Sequence, residues 1–172
     1  MSAGLLSERE KTLLVNRVNE TIRSALRDRY LSRGIRSDLD VTAERMIEGF
    51  DDFNLTVDKV FRTCEVHSHG HFTRFRKRFG ITPRHFLEQA RLLSALFLLR
   101  MEFSVHEASE RSGFLLERKM HRVLESVLGL NGSAIRLGRN LAYLEKNQRL
   151  PKKSRTIIDL KNLIFEIGTL LE

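Results

Sequence analysis

Val66–Phe86 reads VHSHGHFTRFRKRFGITPRHF, a basic run broken by a glycine and a proline. Phe72, Phe75 and Phe79 recur at spacings of three and four, which makes one apolar helix face, while Thr73, Arg74, Arg76, Lys77 and Arg78 fill the remainder. Gly80 stands where a helix closes in the left-handed region. Thr82 is a natural N-cap, and Pro83 suits the first helical position because its missing N–H would have no partner there. The stretch is a basic helix, a tight break, and a second helix.

That second helix should run for about eighteen residues, roughly 27 Å. It carries Phe86, Ala90, Leu93, Leu96, Phe97 and Met101 and is nearly apolar all round at its end, as a buried spine would be. Upstream, Thr56 caps a helix Val57–Cys64, and a turn around Val66–Ser68 leads into the basic helix. Downstream, Ser104-Val-His-Glu107 is a capping box, and the helix it opens ends at Ser112-Gly113-Phe114. Another basic helix follows, ERKMHRVLESVLG, with Met120, Leu124 and Leu128 inward and Arg118, Lys119 and Arg122 outward. The pattern repeats. Leu55-Thr-Val-Asp58 corresponds to Phe103-Ser-Val-His106, and Phe79-Gly80-Ile81 to Leu128-Gly129-Leu130, so two helix-turn-helix units flank the spine.

At the ends of the chain, Ser7-x-x-Glu10 is a capping box opening a helix with Leu14, Val18, Ile22, Ala25 and Leu26 on one face. Gly34 should close it. Thr42 should start a shorter helix with Met46, Ile47 and Phe50 inward. A last helix, Ile157–Leu171, presents Ile157, Leu160, Ile164, Ile167 and Leu171, widened by Leu163 and Leu170. The terminal stripes need covering, either by each other within one chain or by pairing between chains as a homodimer, and the regular spacing of the first favours the dimer. The fold class is all-α, with two helix-turn-helix subdomains joined by a long spine helix and helical extensions at both ends. The expected division is 1–52 for the N-terminal extension, 53–136 for the double helix-turn-helix, and 137–172 for a basic linker and C-terminal amphipathic helix.

The 172 residues are 41% hydrophobic, enough for a real core, and hold only two prolines and ten glycines, which suits helices. Thirty Lys and Arg against twenty-two Asp and Glu leave a formal charge of +8, with a sequence pI near 10.1, a balance that favours a polyanionic partner. The charge is segregated. Asp38–Asp58 has seven acidic residues and one basic, with the look of a solvated surface that avoids nucleic acid, whereas Arg62–Arg91 has seven Lys/Arg and two Glu. Arg136–Arg155 has seven Lys/Arg and one Glu, as a phosphate-facing tail would. The N-terminus MSAGLLSERE lacks the cationic start and apolar run of a signal peptide, and Cys64 has no partner for an internal disulfide, so a reducing, cytoplasmic setting is expected. The longest apolar run, Leu92–Leu99 broken by Ser94, is far short of the roughly 20 residues of a membrane span.

Between Leu55 and Arg136 the chain resembles the double helix-turn-helix domain of the AraC-type transcription regulators. The matching residues are LTVDKV, the HFTR-FRKRFG-ITP-HF run, the end of the spine helix at Ala95–Arg100, SVHEAS-SGF, and Leu115–Gly129. The resemblance implies an all-α domain that lays one recognition helix of each unit into successive major grooves of double-stranded DNA. It also implies a cytoplasmic regulator that contacts RNA polymerase or another regulator. The chain departs from the pattern in places. Phe61 replaces a small residue, Glu65 replaces the turn glycine, and Leu115 and Leu116 stand where polar residues usually precede the second recognition helix. The fifty-odd helical residues before Leu55 leave no room for the ligand-sensing β-barrel many of these regulators carry.

The resemblance puts Arg118, Lys119 and Arg122, with Glu117, on or beside the base-facing side, where Arg reads guanine and Glu accepts from cytosine N4. In the first unit Thr73 and Arg74 are the base-facing candidates, while Arg76, Lys77, Arg78 and Arg84 suit phosphates. The bland alternative for both sets is a solvated helix face. Cys64, His67, His69 and His71 invite a zinc reading, but His-x-His-x-His gathers its rings only on an extended strand, and here a turn leads into a helix, so no metal site is expected. The histidines then belong to a polar turn near phosphates, and Cys64 to the core. No phosphate-cradling glycine loop, paired carboxylate or nucleophile motif is present, which argues against an enzyme and against a cofactor. The rival is a helical interaction protein that binds another regulator or polymerase without reading DNA.

Overall fold

The structure is a computed structural model that describes residues 6–31, 37–66, 68–128 and 155–171. Among these residues it is all-helical: α1 Glu8–Tyr30, α2 Asp38–Gly49, α3 Val57–Thr63, α4 Ser68–Phe79, α5 Pro83–Arg100, α6 Val105–Arg111, α7 Glu117–Leu128 and α8 Arg155–Leu171. Fourteen of the eighteen residues of α5 are buried, so this helix has no solvent face along most of its length and every other helix packs around it. No helix of the described residues is long and apolar enough to cross a membrane.

Helix α1 lies along α5 and also touches α2 and α8, burying Val15, Val18, Ile22, Ala25 and Leu26. Its start is the expected capping box of Ser7 and Glu10. Its end is not the expected one: the helix stops at Tyr30 with Leu31 extended, because Tyr30 turns inward to stack edge-on against Phe86 at 5.1 Å and Phe79 at 6.3 Å. Gly34 lies outside the described residues. The start of α2 also needs correcting. Ser37 and Asp40 form a reciprocal capping box, so the helix begins at Asp38, and Thr42 sits inside it with its hydroxyl donating to the Asp38 carbonyl at 2.7 Å. Asp at the third helical position did the work expected of Glu or Gln.

The terminal helices pack on each other and on α5 within one chain. Leu163 and Ile167 of α8 are fully buried, and Val18, Ile22, Ala25 and Leu26 of the α1 stripe are buried too, which is the intramolecular alternative. The outer side of α8 keeps Phe165 and Leu170 exposed, whereas the side chains of Ile157 and Leu160 lie outside the described residues. So does the basic segment expected at 136–155, apart from the backbone of Arg155.

One hydrophobic cluster runs from Val15 to Ile167, so α1, α2 and α8 share a core with α3–α7. Buried polar side chains tie it together. Ser94 of α5 donates to Asn19 of α1 at 2.7 Å, Asn19 donates to Asp51 at 3.0 Å, and Arg23 holds both Asp51 oxygens at 2.7 Å. Arg91, 5% exposed, sends its guanidinium to the carbonyls of Phe50 (2.8 Å), Asp52 (2.8 Å) and Leu55 (2.9 Å). Burial lowers its pKa, and the carbonyls keep its N–H groups satisfied. Arg91 thus fastens the end of α2 and the loop to α3 onto the spine.

Candidate nucleic-acid interface

Two short-helix, turn, long-helix pairs, α3–α4 and α6–α7, flank α5, and both turns close in the same way. After α3, the Val66 amide bonds the Phe61 carbonyl at 3.0 Å and the Glu65 amide the Arg62 carbonyl at 3.2 Å. After α6, the Phe114 amide bonds Ser109 at 2.9 Å and the Gly113 amide bonds Glu110 at 3.2 Å. These are Schellman closures, and they need a left-handed residue. Gly113 supplies it at φ 80°, whereas Glu65 does so at φ 54° without the glycine's freedom. Gly113 is also required by space, since a Cβ there would stand 2.2 Å from the Phe50 carbonyl oxygen. The second turn is therefore pressed against the backbone that Arg91 holds.

In the first unit, α4 buries Phe75 and Phe79 against Phe86 and Tyr30, with Phe75 meeting Phe86 edge-on at 5.6 Å. Phe72 is less covered and lies edge-on to Phe61 of α3 at 5.1 Å. Phe61, where a small residue was expected, fills the joint between the helices and also meets His71 at 5.0 Å. His71 corrects the reading of the histidines as a polar turn: the helix already starts at Ser68, and His71 is buried beside Thr42. His71 Nε2 lies 3.0 Å from the Thr42 hydroxyl, and its Nδ1 lies 3.7 Å from an Asp38 carboxylate oxygen. Burial pushes the His71 pKa down, partly opposed by the Asp38 charge. His67 and the side chain of His69 lie outside the described residues.

The polar side of α4 faces the start of α2. Arg74 is ion-paired with Asp38, and Arg78 reaches Asp40 at 3.3 Å. Burial raises the Asp40 pKa, but hydrogen bonds from the Ser37 amide and hydroxyl, with the charge of Arg78, outweigh it and leave the carboxyl below its ordinary value. The acidic run is thus no plain solvated surface. Asp38 and Asp40 meet α4, while Glu44 and Asp51 meet Arg27 (2.6 Å) and Arg23 (2.7 Å) of α1. Thr73, Arg76 and Lys77 are exposed, and Arg84 at the start of α5 is exposed and paired with Glu88 at 3.2 Å.

In the second unit, α7 buries Met120 and Leu124 completely and turns Glu117, Arg118, Lys119 and Arg122 outward. Glu117 Oε1 accepts from His106 Nδ1 at 2.9 Å, which ties the first residue of α7 to α6. Among the described residues no carboxylate lies within ion-pair distance of Arg118, Lys119 or Arg122. The unit is clamped from behind by α1. Lys11 meets Glu107 at 2.7 Å and Arg111 meets Glu8 at 2.9 Å. The hydrogen bond from Lys11, with those from Ser104, lowers the Glu107 pKa to about 2.

Sequence reasoning missed Arg91, Asn19 and His71, all polar side chains in the core. For Arg91 a signal existed, since a lone cation amid the apolar residues of a buried helix demands a set of acceptors. No protein-family model, curated protein or solved structure matches the chain.

Proposed function

We propose that the chain is a sequence-specific DNA-binding regulator of transcription of the AraC type, a cytoplasmic binding module and not an enzyme. One observation carries the reading. Arg118, Lys119 and Arg122 project from α7 opposite its buried Met120 and Leu124, and none is neutralised by a carboxylate among the described residues. A rigidly seated helix with a free cationic face is what insertion into a major groove requires. Lys77 and Arg76 of α4 offer phosphate contacts from the other unit. In this reading RNA polymerase or another regulator is the protein partner.

A second reading has its own observation. Because Arg74 and Arg78 already hold Asp38 and Asp40, the first unit is compromised as a reader, which favours a helical protein that binds a regulator or polymerase directly. Binding of the full chain to a random-sequence duplex library, followed by titration of the selected duplex at two salt concentrations, separates the readings. DNA reading gives selection of a common sequence and a log-log salt slope of about −0.9 per phosphate contact. Absence of selection at low salt would leave the interaction protein.

A further inference from the structure

The residues before α7 are Leu115 and Leu116, 65% and 54% exposed, between Phe114 at 1% and the charged residues from Glu117 onward. Neither leucine contributes to the core. Leu116 also occupies the position at which the helix is capped, its carbonyl accepting from Lys119 at 2.9 Å and Met120 at 3.2 Å. Ser, Thr, Asp or Asn would serve better there, because a leucine leaves the free amides of the first turn without a side-chain acceptor. Two leucines that cost solvation and forgo a cap call for a function outside the fold.

We infer that Leu115 and Leu116 are specificity-determining residues that contact thymine 5-methyl groups in the major groove. This rests on the DNA-reading proposal above. The methyl of thymine is the apolar group that base pairs present on the major-groove edge, and it is recognised by apolar side chains set among polar contacts. The leucines offer that arrangement. They sit at the leading end of α7, held by the Gly113 turn, with Arg118 and Lys119 in the first turn behind them and Arg122 in the second. A protein partner is the poorer fit, since a stable interface needs about 800 Å² on each side, and this apolar patch is two side chains wide, with cations at its rim that no carboxylate among the described residues pairs.

The test uses the full chain and the duplex it selects from a random library, resynthesised with deoxyuridine replacing each thymine in turn, which removes one methyl and changes no hydrogen-bonding group. The expected result is a loss of about fourfold in affinity at one or two thymines, and no loss at those thymines for the double variant Leu115→Ala, Leu116→Ala. Both positions are on the surface, so the variant should keep the wild-type circular dichroism and melting temperature, and the wild-type measurement stands without it. A wild type that selects a sequence but ignores every deoxyuridine, a selected sequence without thymine, or a double variant as sensitive as the wild type would overturn the inference and leave the proposed function intact, with the leucines assigned to a protein partner. A chain that selects no sequence would overturn both.

Discussion

The two pairs of helices flanking α5, α3–α4 and α6–α7, are built on one plan and differ in what their cations face. In α4, Arg74 and Arg78 meet carboxylates of α2, so part of the basic surface is neutralised inside the chain. In α7, Arg118, Lys119 and Arg122 meet no carboxylate among the described residues, and two nearby acidic groups are committed elsewhere, Glu117 to His106 and Glu107 to Lys11. The pair with the more basic long helix, α4, is thus the more shielded one, and α7 presents the freer charge. Charge counted along a helix does not measure charge available to a partner, because an ion pair within the fold must be broken or outcompeted first.

The largest contrast lies in the glycine turns. At Gly113 an added methyl meets the Phe50 carbonyl at 2.2 Å and the residue sits at φ 80°, whereas at Gly80, φ 77°, the same methyl enters open space. Gly113→Ala should therefore cost more than about 3 kcal/mol, and Gly80→Ala only the left-handed penalty of about 1–2 kcal/mol. Urea unfolding of both variants checks this, and equal losses would mean that the second turn is not pressed on the α2 backbone.

DNA affinity should follow the free charges. Arg118→Ala and Arg122→Ala should each lose ~1–3 kcal/mol of preference at particular base pairs, while Arg74→Ala loses less because its guanidinium is already paired with Asp38. Asp38→Asn should accordingly strengthen binding. Competition titrations against the selected duplex decide it, and the comparison breaks if Arg74→Ala abolishes binding while the α7 variants leave it unchanged.

The clamp behind the second unit should respond to acid. Hydrogen bonds from Lys11 and Ser104 hold the folded Glu107 pKa at about 2, below its ordinary 4.5, so the carboxylate binds fewer protons folded than unfolded. The stability it contributes is present above the ordinary value and is lost as pH falls from there through 2. Glu107→Gln should be about 1 kcal/mol less stable than wild type at neutral pH, and the gap should close across that acid window. A gap that stays constant on acidification would show that Lys11 does not hold Glu107 in solution.

The smallest expected effect concerns the glutamates that stand in for glycine. Glu65 at φ 54° and Glu102 at φ 64° both close helices in the left-handed region. Glycine at either position should add up to about 1 kcal/mol, the relief of strain less the entropy that glycine brings to the unfolded chain. Melting temperatures of the two variants report it, and no gain at Glu65 would mean that its side chain stabilises the first turn in another way.

By itself the sequence determined the helices, because their signals are local. The Ser7, Thr56, Thr82 and Ser104 caps, the Gly80 and Gly113 closures and the apolar character of α5 all act within a few residues, and the structure has them where the pattern placed them. The boundaries that went astray are those where tertiary contact overrode the local signal, as when Tyr30 turned into the α4–α5 aromatic cluster, or where a short aspartate made the box that begins α2. Which charges are spent inside the fold was settled by packing between distant helices. Arg91 on buried carbonyls, Arg74 on Asp38 and Lys11 on Glu107 pair residues 36 to 96 positions apart. No periodicity encodes such pairs, since they depend on how helices pack, and they set which of the thirty Lys and Arg side chains remain for a partner.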